Sequence, residues 1–210
     1  MDSQNANRPF FHLFAKSFYF CLCAFVLFAL TLVTDKELLA ATYYVAISGD
    51  DNNTGTEAKP FLTIQKAANL TLPGDVVIVK EGIYTSTGDA VIKIDKSGSE
   101  DNYITFKSHN PNEAILDGRY CTTPYGVLLS STAAYIKIEG FEIRNFKTFG
   151  IYGWGNSNTA EASHHIIIKN NKIHHNGNVI VSDPDDGYGR AGFASHPLIH
   201  HYTFEDNTIY

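Results

Sequence analysis

The stretches YIKIEGFEI (135–143), HIIIKNNKI (165–173) and HYTFEDNTI (201–209) are copies of one pattern. Each copy has a large apolar or aromatic residue at its second, fourth and ninth positions. The second positions are Ile136, Ile166 and Tyr202. Ile104 and Val77 extend this series towards the N-terminus at steps of about 30 residues. Repeats of this length are typical of solenoids, because one repeat buries its apolar side only when neighbours stack on it.

A second series of β-rich segments accompanies the first: YGVLLS (125–130), FGIYG (149–153) and GNVIVS (177–182). Apolar and polar residues alternate within the first series, so its apolar side chains face one side of a strand. We therefore predict an all-β fold, a right-handed parallel β-helix, in which three strands per coil enclose an apolar core. Asn171 and Asn207 stand at the same bend of successive coils, where stacked Asn side chains hydrogen-bond along the axis.

One short segment is predicted to be helical. Thr63 can cap a helix over residues 63–70, whose Ile64, Ala67 and Ala68 fall on one face. We expect this N-terminal helix to cap the first coil, where strand edges and apolar side chains would otherwise meet water. The last rung shows no such cap, so we expect the chain to be the N-terminal part of a longer protein.

The first 41 residues are predicted to be a targeting segment. The run Phe18–Val33 carries no charge and follows Arg8 and Lys16. This pattern is typical of a cleaved signal peptide, and an uncleaved membrane anchor is the alternative. We therefore divide the chain into residues 1–41 and a β-helix domain over residues 42–210, and we expect a secreted or cell-surface protein.

Composition excludes several classes of function. The chain of 210 residues has 16 basic and 22 acidic residues and a formal net charge of −6. No block of Lys and Arg is longer than a pair, so we expect no nucleic-acid partner. The 3 cysteines are too few for a disulfide framework.

The stretch TYYVAISGDDNNTGTEAKPFLTIQKAANLTLPGDVVIVKEGIYT (42–85), with AILDG (114–118), carries a family resemblance. It resembles the N-terminal capping region of secreted β-helix polysaccharide lyases, above all the pectate-lyase-like enzymes of family 9. The chondroitinase-B and alginate-lyase-like enzymes of family 6 are more distant. The later coils are similar to the same families, so the resemblance covers roughly residues 42–210.

This resemblance implies β-elimination on an acidic polysaccharide. In these families, calcium bound to a uronate carboxylate acidifies the C5 proton, and a basic side chain, Lys in family 9, removes it. The catalytic base of this chain stays unknown and is expected beyond Tyr210, and the full-length protein is expected to be a monomer. The alternatives are a non-catalytic glycan-binding or adhesin-like surface protein and a uronate epimerase.

Two groups of residues are candidates for these roles. Asp183, Asp185 and Asp186 are candidate calcium ligands, since calcium prefers carboxylate oxygens and the resembled families place calcium aspartates in comparable loops, although these positions do not align with the family motif residue by residue. A Pro/Asp/Gly turn is the alternative. Arg190 is a candidate for a substrate carboxylate, or it pairs with these aspartates. Tyr152 and Trp154 alternate with the apolar Ile151, so they are predicted to project from the coil surface. There they either stack on sugar rings or pack within a loop.

Histidine pairs recur at 164–165, 174–175 and 200–201. The repeat alignment stacks His165 on His201 and His164 on His200. Four imidazoles this close can bind zinc. The alternative is a ladder of rings that lie alternately inside and outside the coil, produced by repetition alone.

Overall fold

Alternating apolar residues form the strands of this protein, whose computed structural model describes residues 39–156, 161–177 and 191–210. The N-terminal part of the chain is built from β1 (Thr42–Val45), β2 (Val76–Val79), β3 (Gly82–Tyr84), β4 (Ala90–Ile94), β5 (Ile104–Ser108), β6 (Ala114–Asp117), β7 (Tyr125–Leu129), β8 (Ala134–Glu139) and β9 (Glu142–Arg144). It continues with β10 (Phe149–Gly153), β11 (Gly155–Asn156), β12 (Glu161–Ala162), β13 (His164–Lys169), β14 (Lys172–His174), β15 (Ala191–Ser195), β16 (His200–Glu205) and β17 (Thr208–Ile209).

Three parallel sheets share these strands. Sheet A has the order β1-β2-β5-β8-β13-β16, sheet B the order β3-β6-β9-β14-β17, and sheet C the order β4-β7-β10-β15. The chain passes from A to B to C in each coil and then begins the next, so equivalent strands stack along one axis. The result is the predicted right-handed parallel β-helix, with about five coils. β11 and β12 form a separate antiparallel pair.

The stacking register confirms the main repeat and corrects its first step. Ile104 pairs with Ile136, which pairs with Ile166 and then with Tyr202. Val77, however, pairs with Phe106, two residues further on than the predicted partner. A two-residue slip leaves every side chain on the same face, so hydrophobic alternation alone does not fix this register.

The second series also needs one correction. YGVLLS and FGIYG do stack, as β7 and β10. The strand that stacks on β10 is Ala191–Ser195, in place of the predicted segment 177–182, most of which lies outside the described residues. Phe193 of this strand pairs with the buried Ile151, so it meets the same packing requirement later in the chain.

The predicted Asn ladder stands at the bend between sheets A and B. The buried Asn171 side chain accepts from the Phe141 N–H (2.9 Å) and donates to the Ile138 carbonyl (2.9 Å). Asn207 repeats this one coil later, accepting from the Asn171 N–H at 2.9 Å. The ladder satisfies buried backbone groups that strand pairing leaves without a partner, which fixes the path of the chain at this bend.

The capping helix α1 (Ile64–Leu70) is also confirmed. Thr63 caps it by accepting from the Lys66 N–H, and its buried side chains are Ile64, Ala67 and Ala68. Gln65 adds a contact that the pattern did not predict. Its amide accepts from the Lys93 N–H (2.8 Å) and donates to the Lys93 carbonyl (3.0 Å), so the helix satisfies the free edge of β4.

The acidic loop before this helix forms a turn that positions it. Asp51 accepts from the N–H groups of Leu62 and Thr63 and from the Thr63 hydroxyl, at 3.0, 2.9 and 2.7 Å.

Over residues 39–156, 161–177 and 191–210, no helix has the length and apolar character needed to cross a membrane.

Candidate functional site

The outward face of sheet C carries a row of aromatic rings, which originates in a repeated aromatic–glycine sequence. Gly126 and Gly150 follow Tyr125 and Phe149 on adjacent strands. A Cβ at Gly126 would lie 2.8 Å from the Ile143 side chain, and one at Gly150 would lie 2.9 Å from the Ile173 side chain. The glycines therefore leave room for the interior while the preceding rings cover the outside.

Four rings form this row, and one of them, Phe149, is only 6% exposed. Tyr152 stacks on Tyr125 with centroids 5.4 Å apart and on Phe149 at 5.2 Å, with interplanar angles of 14° and 13°. Trp154 meets Tyr152 edge-on at 5.8 Å and is 47% exposed. We call Tyr125, Phe149, Tyr152 and Trp154 the aromatic row. The structure thus places both predicted rings, Tyr152 and Trp154, on the outward face, and it adds two that the sequence reasoning missed.

An open groove runs beside this row. Its volume is about 390 Å³, and it is lined by Asp89, Lys93, Asp95, Pro124, Tyr125, Leu128, Ser130, Ser131 and Trp154. The Lys93 ammonium lies 3.7 Å from Asp89 and 4.0 Å from Asp95, and all three side chains are substantially exposed. A groove with ring faces, hydroxyls and an accessible ammonium suits a sugar chain, since rings stack on sugar faces and an ammonium pairs with a carboxylate.

The carboxylates of this groove do not form a calcium site by themselves. Calcium takes six to eight oxygen ligands, whereas Asp89 and Asp95 flank a positively charged ammonium. The predicted ligands Asp183, Asp185 and Asp186, together with Arg190, lie outside the described residues. Arg190 directly precedes β15 in the sequence, and β15 pairs with the strand that carries Tyr152.

A larger depression of about 570 Å³ follows the bend between sheets A and B. The residues that line it include Lys107, Glu139, Asn171 and Lys172, and none of the described lining residues is Phe, Tyr or Trp. Asn171 is already committed to the backbone at this bend. The groove on sheet C is therefore the better candidate for sugar binding.

Sheet B carries a buried ionic network on its outward face, which the sequence reasoning missed. Asp117, at 1% exposure, accepts from Arg144 Nε (2.9 Å), Asn145 Nδ2 (3.0 Å) and the Arg119 N–H (2.9 Å). Arg144 Nη1 also donates to Glu142 at 2.6 Å. Asp117 and Arg144 pair across adjacent coils, so the coil register was the signal that would have revealed them.

The network lowers the pKa of both carboxyl groups. Burial alone raises the pKa of Asp117, but hydrogen bonds from the Arg119 backbone, Asn145 and Arg144 outweigh burial and hold it below its usual value. Burial likewise opposes the shift at Glu142, where hydrogen bonds from Arg144 and His174 lower the pKa. Both carboxyl groups are thus ionised and paired, which suits a structural role better than proton transfer.

The histidines stack as the repeat predicts. His164 lies on His200 with centroids 5.0 Å apart, and His165 lies on His201 at 4.4 Å. The expected alternation between inside and outside is wrong, because all four rings are half-buried or exposed. His165 and His201 have positive φ angles of 52° and 56°, and this left-handed backbone interrupts the strand alternation. Burial and the neighbouring rings lower the pKa of His164 and His165.

The coils and the open groove define a class, the right-handed parallel β-helix proteins that resemble polysaccharide lyases. Residues 43–195 match the family described as Pel9A-like, right-handed beta helix region. The chain belongs to this family.

Two curated proteins are similar in sequence. The uncharacterized protein YwoF of Bacillus subtilis (strain 168) is 30% identical over 177 residues, which is 75% of this chain and 35% of YwoF. Pectate lyase L of Dickeya dadantii (strain 3937) is 28% identical over 145 residues, which is 65% of this chain and 32% of that enzyme. The chain therefore spans about a third of the length of these relatives.

Solved structures share the fold. Pectate lyase Pel9A superposes with a TM-score of 0.51 at 23% identity, over 64% of this chain and 34% of that one. A rhamnogalacturonan lyase gives 0.53 at 20% identity, over 80% and 51%. The GH136 lacto-N-biosidase of Eubacterium ramulus gives 0.55 at 19% identity, over 79% and 31%. Identities this low show the fold alone.

Proposed function

We propose that this protein is an exported polysaccharide lyase that cleaves a uronate polymer of the pectate type, and that the groove of sheet C binds the polymer. The observation that carries the proposal is the aromatic row beside an accessible ammonium, on a β-helix of the Pel9A-like family. Sugar faces stack on Tyr152 and Trp154, while Lys93 attracts a uronate carboxylate.

The proposed reaction is β-elimination. A base removes the C5 proton of a uronate, the released electron pair forms the C4–C5 double bond, and the C4–oxygen bond breaks to free a chain end. Calcium, when bound, neutralises the uronate carboxylate and makes the C5 proton more acidic. Asp183, Asp185 and Asp186 are the proposed calcium ligands, and Arg190 is a further candidate for a substrate carboxylate. No residue of this chain is assigned as the base.

The test uses the full-length gene product with pectate, alginate and chondroitin, in calcium and in excess chelator. We expect unsaturated uronate ends, measured by ultraviolet absorbance, from one of these polymers in calcium and much fewer in chelator. The triple variant D183N/D185N/D186N should lose the calcium response, whereas D101N, at an exposed aspartate in another turn, should keep it.

Other outcomes would replace the proposal. Saturable binding without any chain cleavage would indicate a glycan-binding surface protein. A change in uronate composition without new chain ends would indicate an epimerase.

Export is tested separately. The proposed signal over residues 1–41 should be absent from protein recovered outside the producing cells, as shown by its N-terminal sequence. Full-length protein that stays with the membrane fraction would indicate an anchor instead.

A further inference from the structure

Two histidine pairs lie at the surface of sheet A, where β13 and β16 begin. β13 begins with His164 and His165, and β16 begins with His200 and His201. The parallel register places His164 opposite His200, so the two pairs stand one coil apart. This arrangement gathers four imidazoles from segments that are distant in sequence.

The ring nitrogens face each other within each pair. Nδ1 of His164 lies 2.6 Å from Nδ1 of His165, and the same two atoms of His200 and His201 are also 2.6 Å apart. Two nitrogens at this distance share at most one proton between them. Each pair therefore directs at least one lone pair into the space between its rings.

The two pairs also lie close to each other. Each ring stacks on its equivalent in the next coil, with interplanar angles of 6° and 5°. One ligand nitrogen from each of His165, His200 and His201 lies within 4.8 Å of the other two. Three nitrogen ligands, with His164 adjacent, are enough for a site that keeps a further position open to water.

A zinc-class ion requires the rings to rotate out of their stacked arrangement, because parallel rings do not direct their lone pairs at one point. A Zn–N distance of about 2.0–2.1 Å at the tetrahedral angle places two ligand nitrogens roughly 3.4 Å apart. The facing nitrogens need to open from 2.6 Å, and the more separated ones, which lie within 4.8 Å of one another, need to close. His200 and His201 are exposed and His164 and His165 half-buried, so rotation of the side chains supplies this movement without disturbing the core.

We propose that His164, His165, His200 and His201 form a binding site for a transition-metal dication of the zinc class. Imidazole nitrogen suits zinc and its neighbours, whereas calcium requires oxygen ligands. The site is therefore chemically distinct from the calcium proposed for the lyase reaction, and it does not depend on that reaction. A metal here joins β13 to β16 and so links two successive coils.

The test measures metal binding by the full chain after removal of metals with a chelator. Titration with Zn²⁺ should give one ion per chain in the unmodified protein. Co²⁺ should bind in its place and give the strong visible absorption of a tetrahedral site with nitrogen ligands. The variants His165→Ala and His200→Ala should each weaken Zn²⁺ binding more than tenfold, and calcium should not compete.

The variant His109→Ala is the matched control, because His109 is an exposed histidine outside the cluster. It should bind Zn²⁺ as the unmodified protein does. The proposal is overturned if the unmodified protein takes up no stoichiometric ion, or if His200→Ala binds as tightly as His109→Ala. The facing nitrogens would then be hydrogen-bonded ring pairs only. The cobalt spectrum is read on the unmodified chain, so a folding defect in a variant does not decide the result.

Discussion

Sheets B and C carry different side chains on their outward faces: charged residues on sheet B and aromatic residues on sheet C. On sheet B, the side chains of Asp117, Glu142 and Arg144 are 1%, 10% and 22% exposed, and they form ion pairs with one another. On sheet C, Trp154 is 47% exposed and lines the same groove as Lys93. A dense cluster of charged residues is therefore not the better candidate site here, because its charges are already neutralised. The aromatic face is the better candidate because Trp154 is exposed beside an accessible ammonium.

The largest expected effect breaks the network of sheet B. Arg144→Met leaves Asp117 buried without its main partner, and we expect a loss of about 3–5 kcal/mol in the free energy of unfolding. Urea denaturation of the two proteins measures this loss in unfolding free energy. The control Arg119→Met removes a guanidinium that is 54% exposed and 3.6 Å from the same carboxylate, and should cost less than about 1 kcal/mol. Equal losses in both variants would show that the network is not the stabilising element.

The second effect is a pH dependence of stability. The folded pKa values of Asp117 and Glu142 lie below their unfolded values of about 4. Their contribution is therefore complete above about pH 4 and is lost as the pH falls through the folded pKa values. We expect the difference in unfolding free energy between the unmodified protein and Arg144→Met to narrow in acid. A difference that stays constant down to the acid transition would contradict this role.

The third effect concerns sheet C and polymer binding. Tyr152→Ala removes the central ring of the row, and we expect binding of the uronate polymer to weaken about tenfold, or roughly 1.4 kcal/mol. Affinity electrophoresis on polymer-containing gels measures it. The control Tyr120→Ala removes a tyrosine that is 75% exposed, outside the row, and should leave binding unchanged. A parallel loss in both variants would show a general surface effect.

The smallest effect concerns the ammonium of the groove. Lys93→Gln should change stability by less than about 1 kcal/mol, because its ion pairs are exposed. We expect polymer binding to weaken by a factor of roughly two to three at low salt and to differ little at high salt, where the charge is screened. Lys96→Gln, at an exposed lysine that does not line the groove, is the control. An identical response of the two variants would exclude Lys93 as a binding residue.

The sequence was sufficient for the coil and for part of the site. Repeated apolar positions at Ile136 and Ile166 predicted the stacking, because each strand must match its neighbour. The same logic failed for Val77, where a two-residue slip keeps the pattern intact. Tyr152 and Trp154 were recognised by local alternation, but Tyr125 and Phe149 were not.

The remaining features depend on contacts between coils. Asp117 was recognised only as part of a family motif, since its role requires Arg144 on the next coil. The orientation of the His165 side chain depends on a left-handed backbone angle that the residue pattern does not predict. Local patterns therefore predict what a strand buries, while the chemistry of its outer side is decided by neighbours in the stack.

The lengths of the connections between the sheets have a consequence for the evolution of this fold. Two residues separate sheet A from sheet B at 80–81, 140–141, 170–171 and 206–207 and five at 109–113, and the Asn ladder holds this bend in the last two coils. The passages from sheet B to sheet C differ widely in length, from 145–148 to 175–190. The longest passage thus follows sheet B and leads into sheet C, whose outward face borders the groove. Evolution can therefore lengthen these connections to change which polymer is bound, while the bends between sheets A and B keep the path of the coils. The same connections are suitable places for grafting loops by protein engineering.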